Sequence, residues 1–107
     1  MKLPEVLEQL IVAGNNQDSA KYADFFSEDA QVYDEGKNHT GQKSIKEWIA
    51  EANEKYNAKT EPISYTSNSG EDVMEARVSG NFEGSPIVLK YHLRINNGKI
   101  DYLKITG

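Results

Sequence analysis

Residues 18–48, D-S-A-K-Y-A-D-F-F-S-E-D-A-Q-V-Y-D-E-G-K-N-H-T-G-Q-K-S-I-K-E-W, set out a capped helix, an aromatic pair, a strand ending in a carboxylate and a second helix with almost no slack between them. Asp18 or Ser19 caps the first helix, Tyr22, Phe25 and Phe26 share one of its faces, and Ser27-Glu28-Asp29 closes it. Gln31 to Asp34 reads as a brief strand, Glu35 to Asn38 as a turn, and His39-Thr40 as the lead into Gly41. The next helix carries Ile45, Trp48, Ile49, Ala52 and Tyr56 on one stripe. Ser44-x-x-Glu47 fits a capping box, with Gly41 as the competing cap.

On the N-terminal side, Leu3, Leu7, Leu10, Ile11 and Gly14 recur at steps of three and four, so Pro4 to about Ala13 reads as an amphipathic helix with Pro in its first turn. On the C-terminal side the period drops to two. Ile63 and Tyr65 alternate with polar residues, Asn68-Ser69-Gly70 turns, and Met74, Ala76, Val78, Gly80 and Phe82 make one apolar strand face. After Glu83-Gly84-Ser85-Pro86, the run Ile87, Leu89, Tyr91, Leu93 and Ile95 makes another. Asn97-Gly98 is a tight-turn signal before a last strand from Ile100 to Thr106. Helices followed by an antiparallel meander give an α+β domain with the helices on one face of the sheet.

The chain has 107 residues, enough for one core and one pocket, and 27% of them are charged. Twelve basic residues are scattered among seventeen acids, for a net charge of -5, which speaks against nucleic-acid binding. The absence of cysteine removes disulfides, a thiolate nucleophile and thiolate zinc sites. No apolar run approaches a membrane span, and Met1 to Glu5 lacks a signal-peptide core, so the expected setting is cytoplasmic and away from membranes. Asp34-Glu35 with His39 lacks a second histidine at ligand spacing, so no metal site is expected. Gly41-Gln42-Lys43-Ser44 lacks the upstream glycine of a phosphate loop, Gly84-Ser85 is not a nucleophile elbow, and no cofactor is called for.

The succession Phe26-x-x-Asp29-Ala30, a strand ending at Asp34, and Gly41-x-x-x-Ile45-x-x-Trp48 resembles the SnoaL-like branch of the nuclear transport factor 2-like superfamily. The resemblance implies a single domain over 1–107: a cone-shaped α+β fold with three N-terminal helices packed on a curved, mainly antiparallel sheet. It implies a pocket for a small, mostly apolar molecule. Whether the chemistry is that of an isomerase, cyclase or dehydratase, or the domain is a non-catalytic ligand-binding or assembly module, stays open, because this fold hosts all of them.

From Asp18 to Asp34 the chain is also similar, without gaps, to the ketosteroid isomerases, in which the carboxylate at the strand's end is the general base; the resemblance gives that role to Asp34. The competing reading makes Asp34 a turn residue accepting backbone hydrogen bonds. The isomerases' helical tyrosine falls on Leu10, so that donor is missing. Their second donor, an aspartate before a His-aromatic-Arg segment, falls on Tyr91 in Tyr91-His92-Leu93-Arg94. A neutral phenol can donate there, or it can simply cover the core. Tyr22 and Trp48 are expected to show an edge to the cavity, Met74, Val78 and Phe82 to wall it, and His39 either to face it or to order its loop. His92 should point away from Tyr91, onto an outer face where Glu75, Arg77, Lys90 and Arg94 offer opposite charges for a homodimer.

Overall fold

In the computed structural model, which describes residues 2–107, Leu7, Leu10 and Ala13 fall on the buried side of helix α1 (Glu5–Asn15), as their spacing dictates. Asp18 is the cap of α2 (Ser19–Asp24): its carboxylate accepts the Lys21 backbone N–H at 3.1 Å. Helix α3 (Gly41–Tyr56) starts after Thr40 with no side-chain cap, so Ser44 and Glu47 form no capping box there. It ends at Asn57, whose left-handed backbone (φ 46°) returns its N–H to the Asn53 carbonyl at 2.9 Å.

Six strands form one sheet: β1 (Phe26–Asp34), β2 (Lys37–Thr40), β3 (Lys59–Asn68), β4 (Glu71–Ser79), β5 (Ile87–Asn96) and β6 (Lys99–Thr106), in the order β2-β1-β6-β5-β4-β3. All neighbours are antiparallel except β1 and β6. Pro62 sits on the edge strand β3, where its missing N–H costs the ladder least, beside a register shift between Pro62 and Ser64. A second shift lies between Arg94 and Ile95. Such irregularities bend strands, and the helices lie against the inner face. Phe26, Ile45, Leu93, Ile100 and Leu103 are fully buried between the two layers.

Four sequence expectations need correction. Phe26 is a strand residue: α2 stops at Asp24, Phe25 caps it, and Phe26 pairs with Ile100 of β6. Lys37 to Thr40 is a strand hairpinned to β1, and only Glu35-Gly36 turns. The helices are not consecutive, because β1 and β2 separate α2 from α3. The Met74 face leaves the sheet after Ser79, so Gly80 and Phe82 lie beyond β4. Gly80 is needed there for space, since a Cβ would stand 2.7 Å from the Tyr56 carbonyl oxygen, and the next N–H, of Asn81, donates to that same oxygen at 2.7 Å.

Candidate functional site

The period-two alternation of β1 puts Val32 and Asp34 on the inner face and Tyr33 on the outer one. Opposite them, β4 and β5 pair Met74 with Tyr91 and Val78 with Ile87, turning those four side chains inward. Between these strands and α1, α2 and α3 lies a cavity of about 290 Å³. Tyr22, Asp34, Trp48, Met74, Val78, Phe82 and Tyr91 all line it. Phe82 does so from the loop after β4, with its ring edge-on to Tyr56 at 5.9 Å.

His39 does not reach this cavity. It borders an adjoining recess of about 110 Å³ that shares Asp34 and Trp48 as a party wall, and its ring lies 5.7 Å from that of Trp48. Its side chain therefore backs the tryptophan from β2, ordering that wall. His92 points outward, between Glu71 at 3.2 Å and Thr106 at 3.1 Å. Part of the outer charge is already paired within the chain, Arg77 with Glu61 at 3.5 Å across the β3–β4 register.

Asp34 is the only carboxylate besides Glu35 among the residues that line the cavity. The indole N–H of Trp48 donates to its Oδ2 at 3.3 Å. Burial raises its pKa above the ordinary aspartate value and the neighbouring Glu35 charge adds to this, while the Trp48 and Glu35 N–H donors and the nearby His39 pull the other way. Both sequence readings of Asp34 are thus partly present, since it accepts a backbone bond at a turn and it is also desolvated. Desolvation is the larger effect.

Tyr91 is pushed up to about 12, by burial first and by the Asp34 charge, with the Thr60 hydrogen bond opposing. Tyr22 is also pushed up, by burial and then by Tyr91 and Asp34. Both phenols are therefore neutral donors over the whole ordinary pH range, and they line the cavity together with the carboxylate whose charge acts on them. Leu10 lines the cavity too, an apolar side chain where the isomerases carry a donor.

Sequence reasoning did not single out Glu35, Asn53 or Thr60 as cavity residues, and it put Tyr56 on the inward stripe of α3 without its polar partner. Glu35 and Tyr56 meet at the rim, the phenol donating to the carboxylate at 3.1 Å. Asn53 lies inside, and its signal was present: it is in i+4 register with Ile45 and Ile49 on the apolar stripe of α3. Among the described residues no group of three His, Cys, Asp or Glu is placed to hold a metal ion, and no helix is long and apolar enough to cross a membrane.

No family model matches the sequence, and no curated protein does either. Solved structures do. A candidate polyketide cyclase from Sinorhizobium meliloti is 33% identical, with 97% of this chain and 95% of that one covered and a TM-score of 0.92. A protein with a ketosteroid isomerase-like fold from Catenulispora acidiphila, solved in complex with trimethylamine, is 18% identical over 99% of this chain and 87% of that one, with a TM-score of 0.87. A nuclear transport factor 2-like protein of unknown function from Cytophaga hutchinsonii is 14% identical over 99% and 93%, with a TM-score of 0.78. The last two are alike in fold alone.

Proposed function

Because the chain belongs to the SnoaL-like branch of the nuclear transport factor 2-like superfamily, we propose that it binds a small, mostly apolar cyclic carbonyl compound and moves a proton on it, with Asp34 as base and Tyr91 as donor. The observation that carries this reading is the desolvated Asp34 carboxylate, standing in an otherwise mostly apolar cavity with two neutral phenols. A carboxylate made more basic by burial and a preformed neutral donor serve enolisation. The Asp34 carboxylate takes the proton from the carbon next to the carbonyl. The C–H electron pair becomes the new C=C bond, and the carbonyl π pair moves to oxygen, where the Tyr91 hydroxyl donates to the enolate. Delivery of the proton from Asp34 to the far carbon of a conjugated dienolate completes an isomerisation; reprotonation of the same carbon after Asp34 has traded its proton with solvent completes an exchange. Tyr22, in the same cavity wall, supplies a second neutral hydroxyl and offsets the donor lost at Leu10.

Exchange of the C2 protons of 1-tetralone in D2O, followed by proton NMR, tests this directly. The protein is expected to accelerate it, Asp34→Asn to lose about 10²- to 10⁴-fold of the rate, and Tyr91→Phe about 10²- to 10³-fold. Exchange should rise with pH through the Asp34 pKa and then stay level, because Tyr91 titrates only at about 12. Binding of the ketone without accelerated exchange would favour the second reading, a non-catalytic ligand-binding module, to which the apolar Leu10 is the pointer. In either case we propose a cytoplasmic homodimer paired through the outer face of the sheet. There Val88 is 47% exposed, and Lys104 and Arg94 lie over the rings of Tyr33 and Tyr102.

A further inference from the structure

Asn53 is the one polar side chain among the buried residues described, at 9% exposure, and it forms part of the cavity wall. Its amide nitrogen has no hydrogen-bond partner. Buried amides are nearly always paired, because an unpaired one keeps the full cost of leaving water. The other amides at this end of the fold are engaged. Asn15 grips the Thr60 backbone with both ends of its side chain, at 3.0 and 2.8 Å, and Asn57 accepts the Gln17 amide. No acceptor in the protein meets the Asn53 amide nitrogen.

Position and size then narrow what would. From Trp48, which marks the Asp34 end, to Asn53 the helix advances about 7.5 Å along its axis. The cavity of about 290 Å³ is roughly twice the ~150 Å³ apolar cavity that admits benzene. The space suits two fused rings, and Asn53 stands more than one turn of α3 beyond Trp48, whose indole holds Asp34. The nitrogen shows no surface to the cavity as the side chain stands; a turn about χ2, which is soft for a terminal amide, brings it there, and a hydroxyl can answer either amide atom.

We propose that Asn53 is a specificity-determining anchor and that the ligand is a bicyclic carbonyl compound bearing a hydroxyl at the end remote from the carbonyl. This rests on the reading that places the carbonyl at Asp34 and Tyr91. It assigns Asn53 no part in the proton transfer.

Two probes differ by that hydroxyl alone: 1-tetralone and 6-hydroxy-1-tetralone. Trp48 is the only tryptophan and sits in the cavity wall, so its fluorescence reports binding of each. The wild type is expected to bind the hydroxylated ketone about tenfold more tightly, the worth of one well-placed hydrogen bond. Asn53→Leu should abolish the preference and keep the affinity for 1-tetralone. Asn53→Ala gives the same readout with a smaller side chain should the leucine fail to fold. A preference that survives either substitution overturns the proposal. Binding of 1-tetralone by the wild type with no preference overturns it alone, whereas failure of both ketones to bind overturns the pocket reading and this inference with it.

Discussion

At Asp34 one carboxylate links stability to chemistry. Its pKa is raised in the folded chain, so the folded state holds the proton more tightly than the unfolded one. Its contribution is therefore most favourable below the ordinary aspartate value of 3.8 and is lost as pH rises through the folded-state pKa. At neutral pH the ionised side chain is a burden on the fold. Asp34→Asn is expected to be more stable than the wild type at pH 7, with the gap closing as pH falls below about 4, where both side chains are neutral. Urea melts of both proteins across that range would show it. A gap that widens toward low pH would mean that the Trp48 and Glu35 hydrogen bonds outweigh desolvation.

Among the elements, the junction of α3 with the loop after β4 depends on Gly80. The Tyr56 carbonyl leaves no room for a Cβ, and both partners at that contact are backbone, so neither can swing away. Gly80→Ala is expected to cost about 1 to 3 kcal/mol by urea denaturation, the usual range for overpacking. A cost near zero would mean that the Tyr56 end of α3 shifts freely. The segment also shows where sequence pattern failed. Phe82 continues the alternation of Met74, Ala76 and Val78, yet the chain has left the sheet by then, because Gly80 and Asn81 bond to α3 and to Ser85 instead of to another strand. Lys37 to Thr40 escaped notice for the opposite reason: none of its four residues is buried, so it has no apolar face to read. Phe26 shares helical spacing with Tyr22, and only its long-range pairing with Ile100 makes it strand. The cavity wall was far more legible, because periods of two and 3.6 mark inward faces directly. Asn53 was passed over because a polar residue on an apolar stripe lowers the contrast on which such a reading relies.

For the whole molecule, the outer face of the sheet is where the proposed dimer is at stake. The charges expected to recruit a second copy are partly neutralised inside the chain, through Arg77 with Glu61, while His92 is held by a hydrogen bond with Glu71. This leaves Val88 and the Tyr33 and Tyr102 rings as the apolar contact surface. Sedimentation at micromolar concentration is expected to show a dimer for the wild type and a shift toward monomer for Val88→Lys, since a charge at the centre of a pairing surface is costly to desolvate. A wild-type monomer, or a dimer indifferent to that substitution, would contradict the pairing.

The position of β6 has a consequence of another kind. This strand, the last in sequence, stands between β1 and β5 and is the sole bridge from the β2-β1 pair to the β5-β4-β3 meander. The meander can zip up through short hairpins, but the parallel seam must bring Phe26 to Ile100 across nearly the whole chain. Loop-closure entropy makes that pairing costlier to close than the hairpins, and long-range contacts of this kind slow folding. A chain still being synthesised can form its three-strand meander in part. Its two halves join only once Lys99–Thr106 is free to move between them.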